Sequence, residues 1–204
     1  MLTAWIEGPV LASGAVTLEH ARHAGAILRA IHDTTPPDVG EAVTDDAPDA
    51  WGTVLERKIA RLHAARMLSA SEVDATTAVA HRGAPALAHI GVVHGDVCPE
   101  NLVVDPHGRL WLVDNDSLTV RAMEYDLARI WYRWPMTRAG CEAFVDGYGD
   151  SAALAAYHQH VVHWAVVVLV GAAEFRIRYS LPGAEDALHR LRDIVANQTG
   201  SRHA

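Results

Sequence analysis

His94-Gly95-Asp96-Val97-Cys98-Pro99-Glu100-Asn101 decides how this chain is read, together with the segments just downstream: Leu102-Val103-Val104, Asp105-Pro106-His107-Gly108, Arg109-Leu110-Trp111-Leu112-Val113 and Asp114-Asn115-Asp116. Two short apolar runs flank an Asp-Pro-x-Gly turn signal, which predicts a hairpin. A loop entering a tight hairpin brings Asn101 and Asp114 side by side, with Asp96 just ahead of them. Ile90 to His94 reads as a further short β-branched stretch leading into the loop.

The surrounding sequence is helical. Thr17 reads as an N-cap, with His20 rather than Glu at the third position, so no capping box is expected. Apolar residues from Leu18 to His32 recur at helical spacing until Pro36-Pro37. Residues 34–48 form an acidic loop. Asp49 can cap a helix that carries Trp51, Leu55, Ile59, Leu62 and Ala65 on one face. Ser69 or Ser71 opens another helix, which ends near Gly83 and Pro85. Beyond the hairpin, helices are expected over about 123–134, 138–148, 151–179 and 184–198. The fold class is therefore mainly α with a small β-hairpin region (α+β).

Composition narrows the function classes. The 204 residues are half apolar and 21% charged, as in an ordinary globular domain, and the net charge of −8 argues against a nucleic-acid or anionic-membrane binder. The longest apolar run, 161–173, is too short to span a bilayer, and Met1 to Leu11 lacks the pattern of a signal peptide. Cys98 and Cys141 form neither a CxxC pair nor a disulfide framework. A cytoplasmic protein is expected. Sixteen of the 17 basic residues are arginines; the sole lysine, Lys58, is expected to be solvated in mid-helix.

Phosphoryl transfer from a nucleotide needs positioning and charge neutralisation more than covalent chemistry. An acid must orient the acceptor hydroxyl and accept its proton, which suits Asp96. Oxygen ligands must hold Mg²⁺, where one or two side chains suffice because phosphate and water oxygens complete the shell. Asn101 and Asp114 suit that role.

His-Gly-Asp-x4-Asn, a hairpin ending in apolar-Asp, and the downstream Tyr125-Asp126-Leu127-Ala128 resemble the aminoglycoside phosphotransferase and choline kinase group, relatives of protein kinases. Leu2 to Gly8 resembles that group's interlobe linker. The resemblance implies a kinase-like C-terminal lobe over residues 11–204, with residues 1–10 as the remnant of the linker and the catalytic loop and metal hairpin at 90–118. It implies Asp96 as catalytic base, His94 as support of its loop, Asn101 and Asp114 as Mg²⁺ ligands, and Asp126 as a structural brace. Nucleotide contacts would come from Trp5, Ile6, Val103 and Val113. The cofactors implied are Mg²⁺ and ATP (or GTP). The group's N-terminal lobe and its phosphate-binding lysine are not found ahead of the linker, so a protein partner or self-association is expected to complete the site.

The implied reaction moves a γ-phosphate to a hydroxyl of a cationic, antibiotic-like small molecule or of a peptide Ser/Thr. The alternative is a catalytically inactive kinase-like lobe acting as a binding or scaffold subunit. Asp116 fits either a further metal or acceptor contact or a plain turn residue. The acids from Asp38 to Asp49 fit a solvated loop or the lip of a cationic acceptor site. Trp131-Tyr132-Arg133-Trp134 fits core packing or an acceptor groove. His158, His160 and His163 are expected to be core or surface residues rather than metal ligands, and Cys98 a loop filler.

Overall fold

A computed structural model gives the fold and describes residues 6–11, 16–35 and 51–200. Trp5 and the acids from Asp38 to Asp49 lie outside the described residues. The chain divides into two compact units, residues 1–40 with 89–155 and residues 41–88 with 156–204. The deciding stretch lies wholly within the first.

In that first unit, α1 (Leu18–His32) packs on α5 (Arg138–Tyr148). The crossing is close because glycines meet there. A Cβ on Gly25 would run into the Phe144 carbonyl oxygen, and one on Gly147 into the Arg22 carbonyl oxygen. Arg22 Nε also donates to Asp146 Oδ2 at 2.7 Å across the same crossing. The N-terminus of α1 departs from expectation. Thr17 Oγ1 accepts from the His20 N–H at 3.1 Å, and His20 Nδ1 accepts from the Thr17 N–H at 3.3 Å, so a capping box does form. An imidazole nitrogen with a free lone pair does there what a Glu carboxylate usually does.

Two small antiparallel sheets come next. β1 (Ile90–Val93) pairs with β4 (Thr119–Ala122), in register from Ile90 opposite Ala122 to Val93 opposite Thr119. β2 (Leu102–Val104) pairs with β3 (Leu110–Leu112), Leu102 opposite Leu112. The β2–β3 hairpin was expected; β4 was not, because Thr119-Val120-Arg121-Ala122 is short and runs straight into α4 (Met123–Arg133). Upstream, Val10 bridges to Val103, and Leu11 N donates to the Leu102 carbonyl at 2.7 Å. The hairpin turn is built by Asp105. Its carboxylate accepts from the backbone N–H of His107 and Arg109, the Arg109 guanidinium and the Trp111 indole. Burial alone would raise the Asp105 carboxyl, but these hydrogen bonds outweigh it and hold the group well below the usual carboxylate range.

The second unit comprises α2 (Trp51–Ala64), α3 (Ala70–Arg82), α7 (Val161–Arg178) and α8 (Ala184–Gly200). α7 packs against the other three and buries Trp164, Val166, Val168, Leu169 and Val170, so it is apolar around most of its surface. Ser69 caps α3 in a capping box with Glu72, whose carboxylate also accepts from Arg192 Nε of α8 at 2.6 Å. The long helix expected over 151–179 breaks at His160 into α6 (Ala152–Gln159) and α7. His160 Nδ1 lies 2.9 Å from the Gly83 carbonyl and His163 Nδ1 lies 2.9 Å from that of Ala80. Both rings thus cap carbonyls left open at the end of α3. Burial pushes the His163 imidazole down, which keeps it neutral. Lys58 is half-buried rather than solvated, with its ammonium 3.6 Å from where a Cβ on Gly171 of α7 would stand.

Candidate active site

The loop from His94 to Asn101 connects β1 to β2 and is held from below by one buried carboxylate. Asp126, on the first turns of α4, is fully buried. Its Oδ2 accepts from the His94 N–H and its Oδ1 from the Gly95 N–H, both at 2.7 Å. Gly95 turns the chain at φ +81°, a left-handed conformation that a side chain would strain. His32 of α1 places Nε2 3.3 Å from Asp126 Oδ2 and Nδ1 2.7 Å from the Tyr148 hydroxyl. With Nε2–H directed at the carboxylate, Nδ1 is free to accept from the tyrosine O–H. Burial raises the Tyr148 phenol, so that proton stays in place.

His94 is completely buried. Its Nδ1 accepts from the Asp96 N–H at 3.3 Å, and its Nε2 lies 3.2 Å from the Val113 carbonyl. One ring therefore ties the loop to the end of the hairpin. Asn101 makes the second tie: its Nδ2 donates to the Asp96 carbonyl at 2.9 Å, while its own carbonyl accepts from the Val113 N–H at 2.9 Å. Asp96, Asn101 and Asp114 are thereby drawn into one corner of the first unit.

Asp114 comes immediately after, in the left-handed region at φ 63° and ψ 56°. That conformation is uncommon for a residue with a side chain and tends to mark functional positions. The residue is exposed, and no described residue donates to its carboxylate. Asn115–Ser117 then forms a single 3₁₀ turn in which Asp116 is exposed.

This donor set fits Mg²⁺. Asn101 spends its amide N–H on Asp96 and leaves Oδ1 available, while Asp114 offers a hard, exposed carboxylate with no competing donor among the described residues. No group of three or more His, Cys, Asp or Glu side chains suited to a metal occurs among the described residues, so further ligands would have to be phosphate and water oxygens. Of the expected nucleotide contacts, Val103 is buried in the hairpin, while Ile6 and Val113 are half-buried.

Two arginines pair with Asp96, which the sequence did not lead us to expect. Arg129 Nη2 donates to Asp96 Oδ1 at 2.6 Å and its Nε to the Gly95 carbonyl at 3.0 Å. Arg133 Nε lies 3.1 Å from the same Asp96 oxygen, and its Nη2 donates to Cys98 Sγ at 3.3 Å. The signal was present, because Asp126, Arg129 and Arg133 stand at i, i+3 and i+7 on one helix face. Cys98 is buried, and burial pushes its thiol up, so it is no nucleophile at rest. Of the aromatic cluster, Tyr132 and Trp134 are buried and Trp131 is partly exposed.

Comparisons with known proteins give the family and the fold. The APH model, described as the phosphotransferase enzyme family, matches residues 1–161. No curated protein matches. Among solved structures, choline kinase LicA from Streptococcus pneumoniae aligns with TM-score 0.65 at 19% identity, covering 95% of this chain and 69% of that one. LicA in complex with AMP aligns at 0.64. A choline/ethanolamine kinase family protein from Mesorhizobium loti aligns at 0.62 with 14% identity, covering 96% and 68%. An aminoglycoside phosphotransferase from Alicyclobacillus acidocaldarius aligns at 0.57 with 14% identity, covering 97% and 67%. At these identities the likeness is one of fold, and this chain spans about two thirds of each relative. Among the described residues, no single helix is long and apolar enough to cross a membrane.

Proposed function

This chain belongs to the phosphotransferase enzyme family, and from that membership we infer that it moves the terminal phosphoryl group of ATP to a hydroxyl of a small molecule, with Asp96 as the base. The observation that carries this reading is the pair of ties at Asn101. One runs to the Asp96 carbonyl and the other from the Val113 N–H, and together they draw Asp96, Asn101 and Asp114, the proposed base and metal ligands, toward one corner.

Asp96 would take the acceptor proton on Oδ2. Arg129 occupies Oδ1 at 2.6 Å, whereas Oδ2 has only a long 3.4 Å approach from Asn101 Nδ2. The carboxylate is thus fixed in orientation with one oxygen open, as a general base requires. Asn101 Oδ1 and the Asp114 carboxylate would hold Mg²⁺, which when bound neutralises charge on the phosphates. His94 and Asp126 contact no substrate in this scheme; they keep the loop in shape. Ile6, Val103 and Val113 are the proposed contacts to the nucleotide, and Trp5 belongs with them by its place in the linker. The AMP held by LicA supports an adenine nucleotide.

Calorimetric titration of ATP with and without Mg²⁺ tests this. The wild-type chain should bind ATP more tightly with Mg²⁺. Asp114→Asn should lose at least tenfold of that gain, with its thermal unfolding unchanged because the carboxylate touches no described donor. Absence of any Mg²⁺-dependent nucleotide binding in the wild-type chain would sink the reading.

A further inference from the structure

The Asp96 corner contains more positive charge than its carboxylate can use. Arg129 alone satisfies Asp96 Oδ1, through a short hydrogen bond, and spends its Nε on the Gly95 carbonyl. Arg133 is left poorly served. Its Nε is buried and lies 3.1 Å from Asp96 Oδ1, but it makes no hydrogen bond there or elsewhere. Its Nη2 donates to the Cys98 sulfur, a weak acceptor, and burial keeps that thiol neutral. Glu100 is the other anion within electrostatic reach of Arg133, and it is exposed, so water screens it. A guanidinium about three-quarters buried, with a dry, unpaired N–H, costs stability unless something completes it.

We propose that Arg133, seconded by Arg129, is a receptor for a phosphate or carboxylate oxygen beside Asp96. The planar fork of a guanidinium matches such oxygens two at a time, which an ammonium cannot do. Two sources supply that chemistry: the phosphoryl group in transit, or an anionic group on the acceptor a carbon or two from its reacting hydroxyl. In either case a quaternary ammonium is disfavoured at this spot, since it would face the net positive charge of two guanidinium groups sharing one carboxylate. This rests on the phosphotransferase reading only for what the anion does there. The receptor itself is a matter of Arg133.

The test uses the full chain and calorimetry. D-glycerate, a short hydroxy acid, is titrated in the presence of Mg²⁺ and a non-hydrolysable ATP analogue, with choline as the cationic control. ATP with Mg²⁺ is titrated separately. Each is run on wild type, Arg133→Gln and Arg133→Lys, after circular dichroism shows that the variants fold. An acceptor anion predicts glycerate binding that weakens at least tenfold in Arg133→Gln and partly returns in Arg133→Lys, with no saturable binding of choline. A phosphoryl source predicts the same pattern for ATP and none for glycerate. The proposal is overturned if Arg133→Gln leaves both anions bound as in wild type, if wild type binds neither, or if wild type binds choline saturably. Failure of the phosphotransferase reading is separate: ATP would then show no Mg²⁺ dependence and no response to Asp114→Asn, whatever Arg133 does with glycerate.

Discussion

Replacing Asp126 by Asn removes one charge and almost no volume, yet it should loosen the whole loop from His94 to Asn101. The carboxylate, itself fully buried, receives the His94 and Gly95 N–H groups at 2.7 Å each and stands 3.3 Å from His32 Nε2. A hydrogen bond to a charged group contributes roughly 1.5–3 kcal/mol, and a buried donor left without an acceptor costs about 1–3 kcal/mol. An amide retains one acceptor oxygen, now neutral, and must aim its NH₂ at the other N–H. The loss should therefore total about 3 kcal/mol, which for a chain of this size is on the order of 10 °C in Tm. The variant would be followed by urea unfolding and by amide hydrogen exchange at Gly95 and His94, which should become much faster than in the wild type. A urea midpoint unchanged within error, or protection of those two amides equal to wild type, would refute the view that Asp126 holds the loop.

Gly147→Ala should destabilise the first unit by about 1–3 kcal/mol, because the new methyl meets the Arg22 carbonyl oxygen at a helix crossing that cannot give way cheaply. An equally stable variant in chemical denaturation would mean that the two helices have room to part. Glu72 carries a pH signature. Hydrogen bonds from Arg192, then from Ser69, lower its carboxyl from 4.5 to about 2. A depressed folded-state value contributes stability that is complete above 4.5 and is lost as pH falls toward 2. The pair is more than a third exposed on the arginine side, so after solvent screening the effect is about 1 kcal/mol. Glu72→Gln should flatten the acid limb of the stability curve within that window and nowhere else, as read from urea midpoints at several pH values.

What the sequence disclosed depended on whether a signal was local. Leu18–His32 and the β2–β3 hairpin were legible, because helical spacing after Thr17 and an Asp-Pro-x-Gly turn are statements about neighbouring residues. β4 was not, since its four residues become a strand only through pairing with β1, far back in the chain. The break at His160 was equally hidden. Nothing in an apolar helical run announces that two of its histidines will bind the carbonyls of Gly83 and Ala80. At the candidate site, Asp96, Asn101 and Asp114 were singled out by their spacing. Arg129 went unread, and Arg133 was noted only as part of an aromatic run, because their partner, Asp96, lies on another element. The His20 capping box shows a further limit, as the usual Glu pattern omits another side chain able to accept the same bond.

The pairing of β1 with β4 has a consequence for how the site comes together. Every proposed catalytic and metal residue falls within residues 94–118, and Val93 opposite Thr119 pins the two ends of that excursion. Closing a loop of this length is an entropic cost that grows only slowly with added residues. The β2–β3 hairpin, nested inside, shortens the free segments further. Once the clasp has formed, the residues within it search only a small space for one another. Insertions at the exposed hairpin tip, near His107 and Gly108, should therefore leave Asp96, Asn101 and Asp114 in register, whereas a slip of one residue between β1 and β4 would scatter all three.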